Sequence, residues 1–195
     1  MPELFVAFSE QEKERLTELM FGIGLELTLE KGYKGIKVDT ITQRTGIAKG
    51  SFFNFFTSKS DYIVAMLQWY GNQFLEQMQW ETQKPGWNFR KFVMETLLGD
   101  GFCFLNPAEQ LKIKNAVNET CWAKFKENER AFYDQIVRLM GKDPAVCKPE
   151  VLANLLVSLL TYIHAPEHVP SFFPDAREDT IKCLADAVCL YVEGH

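Results

Sequence analysis

A chain of 195 residues has room for one good-sized domain, or for a small head and a larger body that share a helix. Its longest leucine-rich run, Val151 to Ile163, is too short to cross a bilayer, and five cysteines, odd in number and without a Cys-x-x-Cys spacing, read as reduced, mostly buried thiols. The formal charge of −5 speaks against a nucleic-acid partner only until it is divided. Residues 30–60 hold Lys31, Lys34, Lys37, Arg44, Lys49 and Lys59 against Glu30 and Asp39, a local +4 that leaves −9 elsewhere. Such a split turns the basic segment toward phosphate and repels the remainder.

Ser9-Glu10-Gln11-Glu12 has the form of a capping box, in which a hydroxyl and a carboxylate three residues on satisfy each other's backbone N–H groups. Leu16, Leu19, Met20, Ile23 and Leu27 follow at the spacing of one buried helix face, and Lys31-Gly32 closes that helix. A short helix is expected from Val38 to Thr45, with Asp39 near its positive end. Gly46 supplies a tight turn, and a third helix is expected from about Lys49 to Phe56. Phe52 and Phe56, four apart, should pack inward. Lys49 and Phe53 form a second four-spaced stripe, with Ser51 and Asn54 elsewhere on the wheel. Ser58 then caps a fourth helix, with Asp61 as its partner three residues on.

That fourth helix is expected from Lys59 to about Gln79, ended by Lys84-Pro85-Gly86. A further helix is expected from Trp87 to Leu98, stopped by Gly99-Asp100-Gly101. Asn106-Pro107 opens a long helical stretch toward Met140, not straight throughout, which Gly141 stops. Pro149 to Ile163 and Asp175 to about Val192 complete an all-α chain.

Gly32-Tyr33, Val38-x-x-Ile41, Gly46-Ile47-x-x-Gly50 and Phe56-x-Ser58-Lys59 together resemble the N-terminal domain of the tetracycline-repressor (TetR) family. The resemblance covers roughly the first 65 residues; the rest agrees in length and helical character alone. It implies a three-helix helix-turn-helix head over 1–57 and a helical body for effector binding and dimerisation over 58–195. It further implies that Lys49 and Ser51 start the recognition helix, that Phe53 and Phe55 stand where the family usually has Tyr and often His, and that Lys59 holds a phosphate. Asn54 is a candidate reader of adenine through its amide.

The departures from the pattern matter. Ala48 replaces the usual capping Ser or Thr, and Lys37 replaces a capping Thr while adding a cation. Phe53 and Phe55 have no polar atom to offer a phosphate. Contacts to DNA should therefore lean on Lys37, Lys49, Lys59 and backbone N–H groups at helix starts.

The resemblance implies a homodimer through helices 149–163 and 175–192, so that two recognition helices read a palindromic double-stranded operator. Wide apolar faces at those two helices agree with a partner, although internal core helices would show the same pattern. The body is rich in aromatics, and the family implies an internal cavity for a small, largely apolar effector. Met66, Tyr70, Phe74, Phe92, Phe102, Trp122 and Phe125 are its candidate lining, with Glu95, Asn118 and His164 as candidate polar groups.

His164 and His168 are four apart, but Pro166 between them breaks the helix that a shared metal would need. No phosphate-binding glycine loop or Gly-x-Ser-x-Gly elbow occurs, so neither an enzyme nor a cofactor is expected. No secretory pattern opens the sequence, and its cysteines read as reduced thiols, which together suggest the cytoplasm and no membrane association. The expectation is thus a one-component transcriptional regulator, most simply a repressor. The competing expectation is a helical dimeric interaction protein whose helix-turn-helix has lost useful DNA affinity.

Overall fold

The computed structural model describes residues 8–97, 107–164 and 173–195, all helix, turn or loop with no strand among them. Helix α1 (Glu10–Lys31) starts on the expected capping box: the Ser9 hydroxyl accepts the Glu12 N–H and the Glu12 carboxylate accepts the Ser9 N–H at 2.8 Å. It ends at Gly32, whose φ of +65° is open to glycine at little cost and whose N–H bonds the Thr28 carbonyl. The buried stripe is Met20, Ile23, Gly24 and Leu27, flanked by Phe21 and Thr28. Leu19, expected inside, is 45% exposed because the helix packs through the neighbouring face.

Helices α2 (Val38–Thr45) and α3 (Lys49–Phe55) meet at Gly46, which takes the left-handed conformation (φ +77°, ψ 23°) and donates its N–H to the Thr42 carbonyl. Neither Lys37 nor Ala48, the residues preceding these helices, offers a side-chain cap. Helix α4 (Lys59–Thr82) begins on Ser58, whose hydroxyl accepts the Asp61 N–H, and runs three residues past the expected Gln79.

Two apolar cores share this helix. Tyr62, Ile63 and Met66 join Met20, Phe21, Ile23, Leu27, Ile36, Ile41, Phe52 and Phe56 in the head. About two to three turns later, Phe74, Leu75 and Met78 enter the core of the body. Only a helix that is apolar at both ends of its length can sit in two cores at once. Any movement of α4 in one core is therefore felt in the other.

The helix expected over 87–98 is shorter: α5 (Phe89–Phe92) begins on Asn88, whose Oδ1 accepts the Lys91 N–H, and passes into a π-turn over Val93–Leu97. The stretch expected from Pro107 to Met140 is two helices, α6 (Pro107–Ala116) and α7 (Glu119–Leu139). Asn118 makes the break: its backbone is extended and its Oδ1 accepts the Cys121 N–H at 2.8 Å, starting a new helix there. The signals at Gly99 to Gly101 and at Asn106 lie outside the described residues.

Helix α7 packs against both α4 and α8 (Pro149–Ile163), and α8 against α9 (Arg177–Glu193), which a turn over Pro174–Ala176 precedes. Four of the expected apolar residues of α8, Leu152, Leu156, Leu159 and Leu160, are buried within this one chain. The outward remainder is Val151 on α8, and Cys183, Ala187 and Leu190 on α9, the last 62% exposed.

Candidate nucleic-acid interface and effector cavity

Of the seven residues of α3, one is buried, two are half-buried and four are exposed. Phe52 is fully buried, with its ring centroid 5.3 Å from those of both Phe56 and Tyr62. The Tyr62 hydroxyl donates to the Met20 carbonyl at 2.7 Å, and burial pushes its ionisation well above the ordinary tyrosine range. These contacts fix how the helix is rolled on the head. Lys49, Gly50, Phe53 and Asn54 consequently face outward, Phe53 at 51% exposure, while Ser51 and Phe55 are half-buried. Phe55 packs beside Phe8 at 5.8 Å, and Phe53 meets Phe52 edge-on at 5.4 Å.

The cations of the head are not all free. Lys49 Nζ lies 2.7 Å from Asp39 Oδ1, an exposed pair joining α3 to α2. Arg44 is tied to Glu26 at 2.6 Å. Lys59 is half-buried with its ammonium 4.7 Å over the Tyr33 ring, and loss of water pulls its pKa below the ordinary lysine value. Lys37 is exposed at the start of α2, with no ion pair among the described residues. In the sequence Asp39 reads as a dipole partner only. Its pairing with Lys49 depends on the angle between two helices, which local spacing does not encode.

A mainly apolar cavity of about 200 Å³ lies between α4 and α7 and reaches α6 and α8. The two main walls meet at Gly71, where a Cβ would be in ordinary van der Waals contact with the Phe132 ring at 3.4 Å. Of the candidate lining residues, Tyr70, Phe74 and Phe125 border this space. Phe74 and Phe92 border an adjoining void of about 30 Å³. Trp122 stacks on Phe125 at 4.9 Å behind the wall. Met66 is fully buried in the head core and does not reach the cavity, and Phe102 lies outside the described residues.

The candidate polar groups are engaged elsewhere. Asn118 caps α7, Glu95 reaches toward Lys91 at the surface, and His164 is exposed at the end of α8. The polar residues of its lining are instead amides, with Asn128 donating to Gln68 at 2.9 Å, together with Tyr70, Tyr133 and Glu129. Phe132 and Tyr133 follow Phe125 at seven and eight residues, a helical repeat that the sequence already displays.

No cluster of three or more His, Cys, Asp or Glu that could hold a metal occurs among the described residues, and His168 lies outside them. Among them, too, no helix is long and apolar enough to cross a membrane.

A basic-edged helix-turn-helix head on a larger all-α body is the architecture of a DNA-binding regulator. Residues 24–66 match the family of "Bacterial regulatory proteins, tetR family". Over 51 residues the chain is 39% identical to the transcriptional regulator AcuR of Cereibacter sphaeroides, a match covering 26% of this chain and 23% of that protein. Two solved structures agree in fold over nearly their whole length. Reduced NemR of E. coli superposes with a TM-score of 0.55 at 16% identity, covering 92% of this chain and 96% of that one. A protein from Vibrio parahaemolyticus described as a putative TetR-family transcriptional regulator gives 0.53 at 20% identity, covering 88% and 97%. The likeness to the tetR family thus lies in residues 24–66, and the solved structures share the fold.

Proposed function

We propose that the protein is a dimeric, cytoplasmic one-component repressor that binds a palindromic operator and releases it when a small, largely apolar effector fills the body. The observation that carries this reading is the outward face of α3, where Lys49, Phe53 and Asn54 stand together on a helix whose other side is locked into the head core. Lys37, Lys49 and Lys59 supply phosphate contacts, Asn54 reads a base edge, and Ser51 and Phe55 border the groove. The Lys49–Asp39 pair is no obstacle: an exposed ion pair is worth about 0–1 kcal/mol, so a phosphate can take Lys49 from it. Phe53 brings apolar surface that suits a thymine methyl group.

The homodimer uses the outward faces of 149–163 and 175–192, where Val151 and Leu190 are exposed. An effector between α4 and α7 acts on α4, which is common to both cores, and so alters the setting of the head. That shift is limited by the effector's preference for one state over the other.

An exposed Phe53 beside an ion-paired Lys49 also suits a protein-contact surface, the second reading. Selection of bound duplexes from random DNA, followed by a screen for compounds that release them, tests the proposal. Recovery of a palindrome with two half-sites about one helical turn or more apart is expected. Failure to enrich any sequence favours the second reading.

A further inference from the structure

The chemistry of the cavity walls restricts what can occupy it, a restriction that builds on the effector reading. The volume of about 200 Å³ exceeds the roughly 150 Å³ of an apolar cavity able to hold benzene, and falls short of the roughly 300 Å³ at which drug-sized sites begin. One or two rings fit. The smaller void next to it shares Phe74, Phe132, Tyr133 and Leu160 as walls.

The charge of the occupant is restricted as well. Among the described lining residues there is no Lys, Arg or His, and the single carboxylate, Glu129, is already ion-paired with Lys126. The space is partly open to solvent beside the exposed Gln68, Asn72 and Gln135; an anion in it meets no countercharge from the walls, and a cation would have to displace Lys126 from Glu129. What remains is hydrogen bonding. Tyr133 borders the cavity, and its hydroxyl has no hydrogen-bond partner among the described residues. Burial and the nearby Glu129 push its ionisation well above the ordinary tyrosine range, so it stays a neutral donor.

We infer that the cavity takes a small uncharged one- or two-ring compound bearing a hydrogen-bond acceptor for the Tyr133 hydroxyl, and that it rejects anions. The test uses the full chain at neutral pH with four probes of one ring each: benzamide, toluene, benzoate and benzylammonium. Binding is read by calorimetry and by the fluorescence of Trp122, which stacks on the wall residue Phe125. Benzamide should bind in the millimolar range or tighter, with benzoate and benzylammonium at least about tenfold weaker. Tyr133→Phe keeps the ring and should weaken benzamide by about fivefold while leaving toluene unchanged.

Benzoate or benzylammonium binding as well as benzamide would overturn the inference. So would the absence of benzamide binding, or an unchanged benzamide affinity in Tyr133→Phe. If benzamide binds as expected but an operator complex is untouched by any cavity ligand, the inference stands and the effector reading falls. If benzoate binds best and releases the operator, the reverse holds.

Discussion

The carboxylate of Glu109 accepts the backbone N–H of Tyr33 at 2.7 Å, joining α6 of the body to the head across 76 positions of sequence. It lies so close to Gly32 that a Cβ there would approach its oxygen to 2.5 Å. One turn further along α6, Ile113 is buried in the head core, while Gln110, next to Glu109, borders the cavity between α4 and α7. One short helix thus touches both the DNA-reading unit and the space proposed for its effector.

Removing that hydrogen bond with Glu109→Ala should lower stability by about 1 kcal/mol, since Tyr33 is left without its acceptor. The effect should also depend on pH. The Lys112 ammonium first, and the Tyr33 N–H second, hold the Glu109 carboxyl below its ordinary value of 4.5. A carboxyl whose folded pKa is depressed stabilises the fold fully above the unfolded value, and that contribution disappears as pH falls through the folded one. Urea midpoints of the natural protein and of Glu109→Gln should therefore differ at neutral pH and converge in acid below 4.5. A constant gap across that range would show that the charge of Glu109 is immaterial.

Gly24→Ala sets two effects against each other. Alanine gains about 1 kcal/mol in helix propensity over glycine. The added Cβ, however, would fall 1.9 Å from the Tyr62 hydroxyl oxygen and 2.7 Å from the Met66 sulfur, and Tyr62 is held by its bond to the Met20 carbonyl. Overpacking of this kind costs about 1–3 kcal/mol, so net destabilisation is expected on chemical denaturation. A more stable variant would mean that Tyr62 is free to move.

The head is legible in the sequence because its signals are local: a capping box at Ser9, left-handed glycines at 32 and 46, and Phe52 and Phe56 four apart. The body is legible only as a set of helices. Asn118 looks like a polar group for a pocket, because an asparagine that caps and one that binds are the same residue until the backbone is known. The resemblance implies an effector site that includes Met66, but α4 carries one continuous apolar pattern, which does not say where along the helix one core yields to the next. The Glu109–Tyr33 bond leaves no trace in either local sequence.

Ala48→Ser should restore the absent cap of α3. Residue 48 already has the extended backbone of a capping position (φ −67°, ψ 146°), so the hydroxyl can accept a free N–H of the first turn without rearrangement. A gain of about 0.5–2 kcal/mol is expected from thermal denaturation. No gain would indicate that water already satisfies those groups equally well.

Leu190→Glu, at a position 62% exposed on α9, should leave the monomer folded while weakening self-association. Sedimentation of the natural protein should give a dimer, and the variant should shift toward monomer with unchanged helicity. A variant as dimeric as its parent would place the interface elsewhere.

Whether the outward face of α3 engages DNA is decided by the salt dependence of binding to a selected duplex. The logarithm of affinity should fall linearly with that of salt, and Lys49→Ala should make the slope shallower by about 0.9, the increment for one phosphate fewer neutralised. An identical slope in the two proteins, or binding indifferent to salt, would refute the role given to this helix.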